Sequence, residues 1–225
     1  MDKILFVSSK KWFFLNKDIK KLIKKKNIYK ITDKKKLNLK NISKINPTKI
    51  FFPHWSYRVP DKILKKFECI CFHTAPLPYG RGGSPIQNLI IRKFKKAPLC
   101  AIKMTNKIDS GPIYSKKNIS LNGSLNEIFE RISNAILFMI TKIIKNKIIP
   151  KHQSGKPLYF KRINEKESII NQFEKLDSVY DKIRMLDSDE YPNAYYKFGN
   201  TIIKLQGAKT KKNYILCNAK IFKTK

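Results

Sequence analysis

The stretch Glu68-Cys69-Ile70-Cys71-Phe72-His73, running straight into Thr74-Ala75-Pro76-Leu77-Pro78-Tyr79-Gly80-Arg81-Gly82-Gly83, decides the fold. Its first half is a short apolar run ending at a histidine, and its second half is a proline- and glycine-rich loop. The pair reads as a buried strand and the turn beyond its carboxyl end. Side chains alternate along a strand, which puts Cys69, Cys71 and His73 on one face and Ile70 and Phe72 on the other. Upstream, Lys3-Ile4-Leu5-Phe6-Val7 predicts a first buried strand and the amphipathic run from Lys17 to Lys26 its following helix. Ile28 to Ile31 reads as a second strand, and Lys49-Ile50-Phe51-Phe52-Pro53 as a third, halted by proline. Alternation of strand and helix points to a parallel α/β sheet. Ligands of such sheets collect beyond the carboxyl ends of the strands, where His54-Trp55-Ser56 and His73 fall.

Downstream of the loop, Ser84 before Pro85 predicts a helix start, with the helix running to about Lys93. Pro98 to Thr105 and Pro112 to Ser120 read as two more strands joined by a turn at Ile108-Asp109-Ser110-Gly111. A long helix is expected from Ser124, with Glu127 as its capping-box partner and Ile128, Ile132, Ile136, Met139, Ile140 and Ile143 as its apolar face. Pro150 to Pro157 reads as a linker. Beyond it, Asp177 to Leu186 predicts a short helix, and Ala194–Phe198, Thr201–Gln206 and Tyr214–Phe222 predict antiparallel strands, the first two joined by the tight turn Gly199-Asn200. The expected organisation is a main domain over residues 1–150 and a small β-rich subdomain over 151–225. A chain of 225 residues can bury a core of that size.

The formal net charge is +33, from 49 Lys and Arg against 16 Asp and Glu. Six of the basic residues are arginines (Arg58, Arg81, Arg92, Arg131, Arg162 and Arg184), and the lysines scatter along the whole chain among abundant Ile and Asn. That pattern reads as A/T-rich codon usage and not as selection for phosphate-gripping guanidinium forks. The expectation is therefore lysine faces that steer anionic substrates, with no dedicated nucleic-acid partner. Ile4 to Val7 is too short for a secretory core, and the oily run from Ile136 to Ile149 is interrupted by Lys142, Lys145 and Lys147. A membrane span needs roughly 20 apolar residues, so no membrane insertion and a cytoplasmic location are expected. Cys69 and Cys71 form a C-x-C, but Cys100 and Cys217 stand alone, so no metal site is expected.

The chemistry rests on His73 and Asp109. An imidazole at a strand exit, beside a rigid loop with bare backbone, can act as an acid or base, and the Asp109 turn offers a carboxylate to orient it. The same residues resemble the folate-dependent formyltransferases, whose pattern is Asn-x-His, then Leu-Pro-x-x-x-Gly, then a distal Leu-Asp-x-Gly. His73, Leu77-Pro78, Arg81-Gly82, Pro85 and Ile108-Asp109-Ser110-Gly111 fit those places in order. Phe160-Lys161-Arg162, Ile183-Arg184-Met185-Leu186, Tyr191-Pro192-Asn193-Ala194-Tyr195 and Gly199-Asn200 further resemble the carboxyl-terminal part of sugar-nucleotide N-formyltransferases, and Phe72-His73 with the run from Pro78 to Ile90 resembles a branch of amino-sugar and nonulosonic-acid pathways, including pseudaminic-acid biosynthesis.

The resemblance implies a Rossmann-like, parallel or mixed sheet with a small β-rich carboxyl-terminal subdomain. Its amino-terminal region would be shortened, since 72 residues precede His73. The implied reaction moves a formyl group from 10-formyltetrahydrofolate, the co-substrate, to the amine of a nucleotide-linked amino sugar, without a metal. His73 would take the amine proton and Asp109 would hold His73 or relay a proton. The folate would lie near Phe52, Pro53, His54, Trp55, Asp109 and Gly111. The sugar would lie near Pro78, Tyr79, Gly80, Arg81, Gly82, Gly83 and Gln87. Cys71 stands where the family has asparagine and Ala75 where many members have serine. Cys71 thus enters the catalytic set as a weak hydrogen-bond donor or as a thioester-forming nucleophile. Two alternatives are a methionyl-tRNA formyltransferase, which the charge favours, and a basic binding protein of the same fold that has lost activity. Tyr195 and Phe198 in the tail are candidate homodimer contacts.

Overall fold

The computed structural model describes residues 2–223. The first strands form where apolar residues run together: β1 (Ile4–Val7), then α1 (Lys11–Leu15) and α2 (Lys17–Leu22), then β2 (Ile28–Ile31). They continue through α3 (Leu39–Ile45), β3 (Lys49–Phe52), α4 (Asp61–Lys66) and β4 (Cys69–Thr74). Next come β5 (Tyr79–Gly82), α5 (Pro85–Ile91), β6 (Lys96–Lys103), β7 (Ile113–Ser120) and α6 (Leu125–Asn146). The chain ends in β8 (Leu158–Phe160), α7 (Leu176–Met185), β9 (Tyr195–Phe198), β10 (Thr201–Thr210) and β11 (Ile215–Lys223).

Six strands make one mixed sheet in the order β2-β1-β3-β4-β6-β7. β2, β1, β3 and β4 run parallel, and β6 pairs antiparallel with β4, setting His73 opposite Cys100. All four residues of β1 are buried, as a parallel strand covered on both faces requires. Phe6, Phe51 and Phe72 stack across β1, β3 and β4 with ring centroids 6.0 and 6.3 Å apart. The opposite face, with Leu5, Ile50 and Cys69, joins one cluster with Ile42 of α3 and with Ile63 and Phe67 at α4. Neither α3 nor α4 was expected from the sequence: each has few apolar positions set among lysine and asparagine, too little periodicity to announce a helix.

β9, β10 and β11 form a separate antiparallel sheet, with Phe198 opposite Thr201 across the Gly199-Asn200 turn. β5 pairs with β8 in a two-stranded ribbon that sequence periodicity did not reveal. The α6 capping box is formed: Glu127 Oε2 accepts from Ser124 N at 2.7 Å and Glu127 N donates to Ser124 Oγ at 3.4 Å. The predicted apolar face of α6 is buried throughout, each of its six residues at most 1% exposed.

The chain divides into two compact units, and neither is a continuous segment. The first comprises Met1–Arg81, Pro98–Asn118 and Ile132–Leu158, and the second Gly82–Ala97, Ile119–Arg131 and Tyr159–Lys225. The break expected at residue 150 therefore falls inside the first unit. Polar side chains explain why the second unit recruits earlier segments. Gln87 donates to Met185 O at 3.2 Å, Lys93 pairs with Asp181 at 2.8 Å, and buried Arg184 donates to the carbonyls of Leu121 and Gly123. Among the described residues no helix is long and apolar enough to cross a membrane.

Within the first unit, Glu68 ties three strands together, accepting from Tyr114 Oη of β7 at 2.6 Å and from Lys49 of β3. Burial would raise its carboxyl pKa, but the hydrogen bonds from Lys49 and Tyr114 outweigh burial and hold it below the ordinary 4.5. Its stabilising contribution is fully present above pH 4.5 and is lost as pH falls through the lower folded value. Glu68→Gln should flatten the acid limb of the Tm-against-pH curve, and an acid limb identical to wild type would contradict this role.

Candidate active site

His73 is the penultimate residue of β4 and is 7% exposed, so its ring is held by protein on nearly every side. Its Nε2 lies 2.7 Å from the Gly80 carbonyl oxygen, which can only accept, so Nε2 carries the proton in this arrangement. Gly80 sits at φ +87°, in the left-handed region open to glycine, where its backbone turns back toward the strand end. The basic nitrogen is then Nδ1, and it faces Asp109 Oδ2 at 3.4 Å. Without a further proton, a lone pair and a carboxylate oppose each other across that gap. A proton arriving between them is attracted by both, so the pair is built to receive one.

Asp109 holds its carboxylate there from a backbone at φ +46°, an uncommon conformation for a residue with a β-carbon. Around it, Ser110 Oγ donates to Lys107 O at 3.0 Å and lies 3.1 Å from Thr105 Oγ1. Gly111 is required because a β-carbon there would sit 1.7 Å from Lys103 O of β6. Gln153, in the segment read as a linker, completes the turn. Its Nε2 donates to Asp109 O at 2.9 Å and Gly111 O at 2.8 Å, and its Oε1 accepts from Arg81 Nε and Nη2 at 3.2 and 2.8 Å. Nothing in the sequence marked Gln153, a single amide in a polar stretch.

The structure reassigns several predicted contacts. Phe52 is 1% exposed in the core cluster and cannot meet a ligand face to face. Gln87 is buried and its amide serves α7, as described above. The bare backbone at Gly82 and Gly83 is filled by the chain's own β8 region: a β-carbon would lie 2.7 Å from Phe160 O at Gly82 and 2.7 Å from Arg162 Cβ at Gly83. Gly111 likewise packs on β6. Pro53 is buried, while Pro78 O accepts from Leu158 N at 3.2 Å, tying the loop to β8. Tyr79, Gly80 and Arg81 remain on the His73 loop. Ser84 starts α5 as expected, yet at φ +46° its hydroxyl accepts from Ile163 N at 3.1 Å instead of capping the helix.

At the carboxyl end of β3, His54 adopts φ +54°, and burial, aided by the Lys10 charge, pushes its pKa down to about 3, so it is a neutral imidazole. Trp55 packs edge-on against Phe52 and Tyr57, and its buried indole Nε1 has no hydrogen-bond partner among the described residues. Ser9, just past β1, donates to His54 O at 3.1 Å. β1 and β3 are neighbours from which the chain departs in opposite directions along the sheet, the switch point at which open α/β sheets bind ligands. Ser9 could have been found by that rule once the strand order was known. Cys71 lies on the His73 face among Leu77, Cys100, Ile102 and Ile113. Burial, and then the Asp109 charge, push its thiol well above the usual range. Among the described residues no group of three or more His, Cys, Asp or Glu is placed to hold a metal ion.

Comparison with known proteins bears on what this geometry serves. Residues 165–222 match the family model described as methionyl-tRNA formyltransferase, C-terminal domain. A methionyl-tRNA formyltransferase of Rickettsia felis is 31% identical over 178 residues, 76% of this chain and 57% of that protein. The chain thus spans a little over half the length of the curated relatives it matches. The solved structure of a methionyl-tRNA formyltransferase from Clostridium thermocellum is 37% identical, with a TM-score of 0.95 over 99% of this chain and 100% of that one. HypX from Aquifex aeolicus, in complex with tetrahydrofolic acid, shares the fold at 15% identity and a TM-score of 0.75, covering 94% of this chain and 38% of its own. These relatives correct two expectations, a nucleotide-linked amino sugar as substrate and the absence of a nucleic-acid partner. The second rested on the scarcity of arginine, but counterion release from phosphates depends on charge, which lysine supplies equally. With the His73–Asp109 pair on its loops and a full-length structural match at 37% identity, the chain belongs to the formyltransferase family.

Proposed function

We propose that the chain transfers a formyl group from 10-formyltetrahydrofolate to the amine of methionyl-tRNA. The observation that carries the reaction type is the 3.4 Å approach of His73 Nδ1 to Asp109 Oδ2, a proton-accepting pair at a strand end. The acceptor is inferred from the names of the relatives and from a net charge of +33, which favours a polyanion. The proposal places the reaction in the cytoplasm, where aminoacylated tRNA is found.

In this reading the His73–Asp109 pair receives the proton of the attacking amine as the new C–N bond forms at the formyl carbon. The pair then gives a proton to the folate nitrogen as its bond to that carbon breaks, so no proton is gained or lost overall. His54 and Trp55 are the residues that would meet the folate, and the buried, unanswered Trp55 Nε1 is a donor that an acceptor on its ring system would satisfy. His54, neutral at working pH, adds no charge there. Tyr79, Gly80 and Arg81 border the acceptor side. Cys71 stays a thiol, so it serves as a weak donor beside His73, and direct attack by the amine needs no thioester.

Incubation with 10-formyltetrahydrofolate and methionyl-tRNA should yield formyl-methionyl-tRNA by mass spectrometry, and an unmodified acceptor would contradict the assignment. His73→Asn should lower turnover by about 10²–10⁴ with the fold unchanged by circular dichroism. Turnover near wild type in that variant would remove the proposed base. A thiol-directed alkylating reagent at pH 8 should label Cys217, partly exposed on β11, well before Cys71, which is also partly exposed but whose thiol is pushed well above the usual range by burial and the Asp109 charge, and should leave the buried Cys69 and Cys100 unmodified. Rapid modification of Cys71 would show it to be the activated nucleophile that this mechanism excludes.

A further inference from the structure

Asp109 needs outside help to stand where it does. Its left-handed backbone is a strained conformation that persists only when its surroundings over-determine it. Gln153 grips both ends of the turn, its amide N–H groups reaching Asp109 O and Gly111 O. The other end of the same amide is oriented by Arg81, which follows Gly80 directly, and Gly80 O is the group that holds His73 Nε2. The contacts therefore close a circuit: His73 to Gly80, along the backbone to Arg81, across to Gln153, on to the Asp109 turn, and from the Asp109 carboxylate back to His73. All four hydrogen-bonding positions of one carboxamide are used in it, two donors and two acceptances. Only one orientation of the amide satisfies them, because the guanidinium cannot accept and the two carbonyls cannot donate.

We infer that Gln153 is a positioning residue for formyl transfer, holding the Asp109 carboxylate against His73 through the backbone of its turn while Arg81 fixes the orientation of its amide. The inference rests on the proposed transfer reaction only for its kinetic consequence; its structural consequence can be read without any reaction. Gln153 is only partly buried and lies outside the hydrophobic core, so its loss leaves the sheet intact.

The test uses the full chain and two readouts. The first is the ¹⁵N spectrum of the imidazoles, of which there are three, assigned by substitution. Asp109→Asn should shift the His73 ring resonances in the wild-type background and leave them unchanged in Gln153→Ala, where the carboxylate has already swung away. The second is formyl transfer, in which Gln153→Ala should lower kcat by about 10–100-fold, with KM for donor and acceptor nearly unchanged. The Gln153→Ala/Asp109→Asn double variant should be no slower than Asp109→Asn alone. Gln153→Glu keeps the acceptor for Arg81 but turns oxygen toward both carbonyls, and should fail as Ala does. A His73 response to Asp109→Asn that survives in Gln153→Ala overturns the inference, whether or not transfer is detected. A wild-type protein that shows the coupling but transfers no formyl group would overturn the reaction and leave the positioning role standing.

Discussion

The site depends on a 3.4 Å approach that neither His73 nor Asp109 secures alone. His73 is delivered by β4, one of the most buried strands of the sheet. Asp109 comes from a turn after β6, which runs the opposite way, so its loop must fold back to bring a carboxylate to the imidazole. Asp109 at positive φ, Gly111 against Lys103 O and Gln153 across the turn are each a consequence of that requirement. Because β6 is antiparallel to β4, with Lys103 opposite Ile70, the turn after β6 leaves from the amino-terminal end of β4 and has to run back toward His73.

The loop after β4 illustrates how glycines can mislead. Bare backbone invites a ligand in principle, yet here Gly82 and Gly83 admit Phe160 and Arg162 of the same polypeptide. Arg92 then stacks over the Phe160 ring at 4.7 Å, and Asn88 donates to Lys161 O at 2.9 Å, so that stretch of the loop belongs to the packing of the second unit. In the proposed reaction the stretch left to border the acceptor is shorter, from Tyr79 to Arg81.

Much of the architecture was legible in sequence. β1 is an uninterrupted apolar run and β3 is one after Lys49, and the α6 capping box and apolar face are local patterns that survive folding unchanged. His73 and Asp109 were legible because an imidazole at a strand exit and an aspartate in a glycine turn each have a local signature. What could not be read were features defined by distant partners. Gln153 has meaning only beside Arg81 and Asp109, 72 and 44 residues away in sequence. Gln87 reads as an available amide until Met185 O is placed against it, and β5 and β8 are strands only because they meet. The charge was legible but was weighed by side-chain geometry, when the electrostatic attraction of a polyanion depends on the number of charges.

In the proposed reaction His73 and Asp109 move the proton as one unit. The most direct measurement is the single-turnover rate of formyl transfer in His73→Asn, in Asp109→Asn and in the double variant. The double variant should be about as slow as the slower single one, because removing either member already disables the pair. Rate losses that multiply would show two groups acting independently and would contradict it.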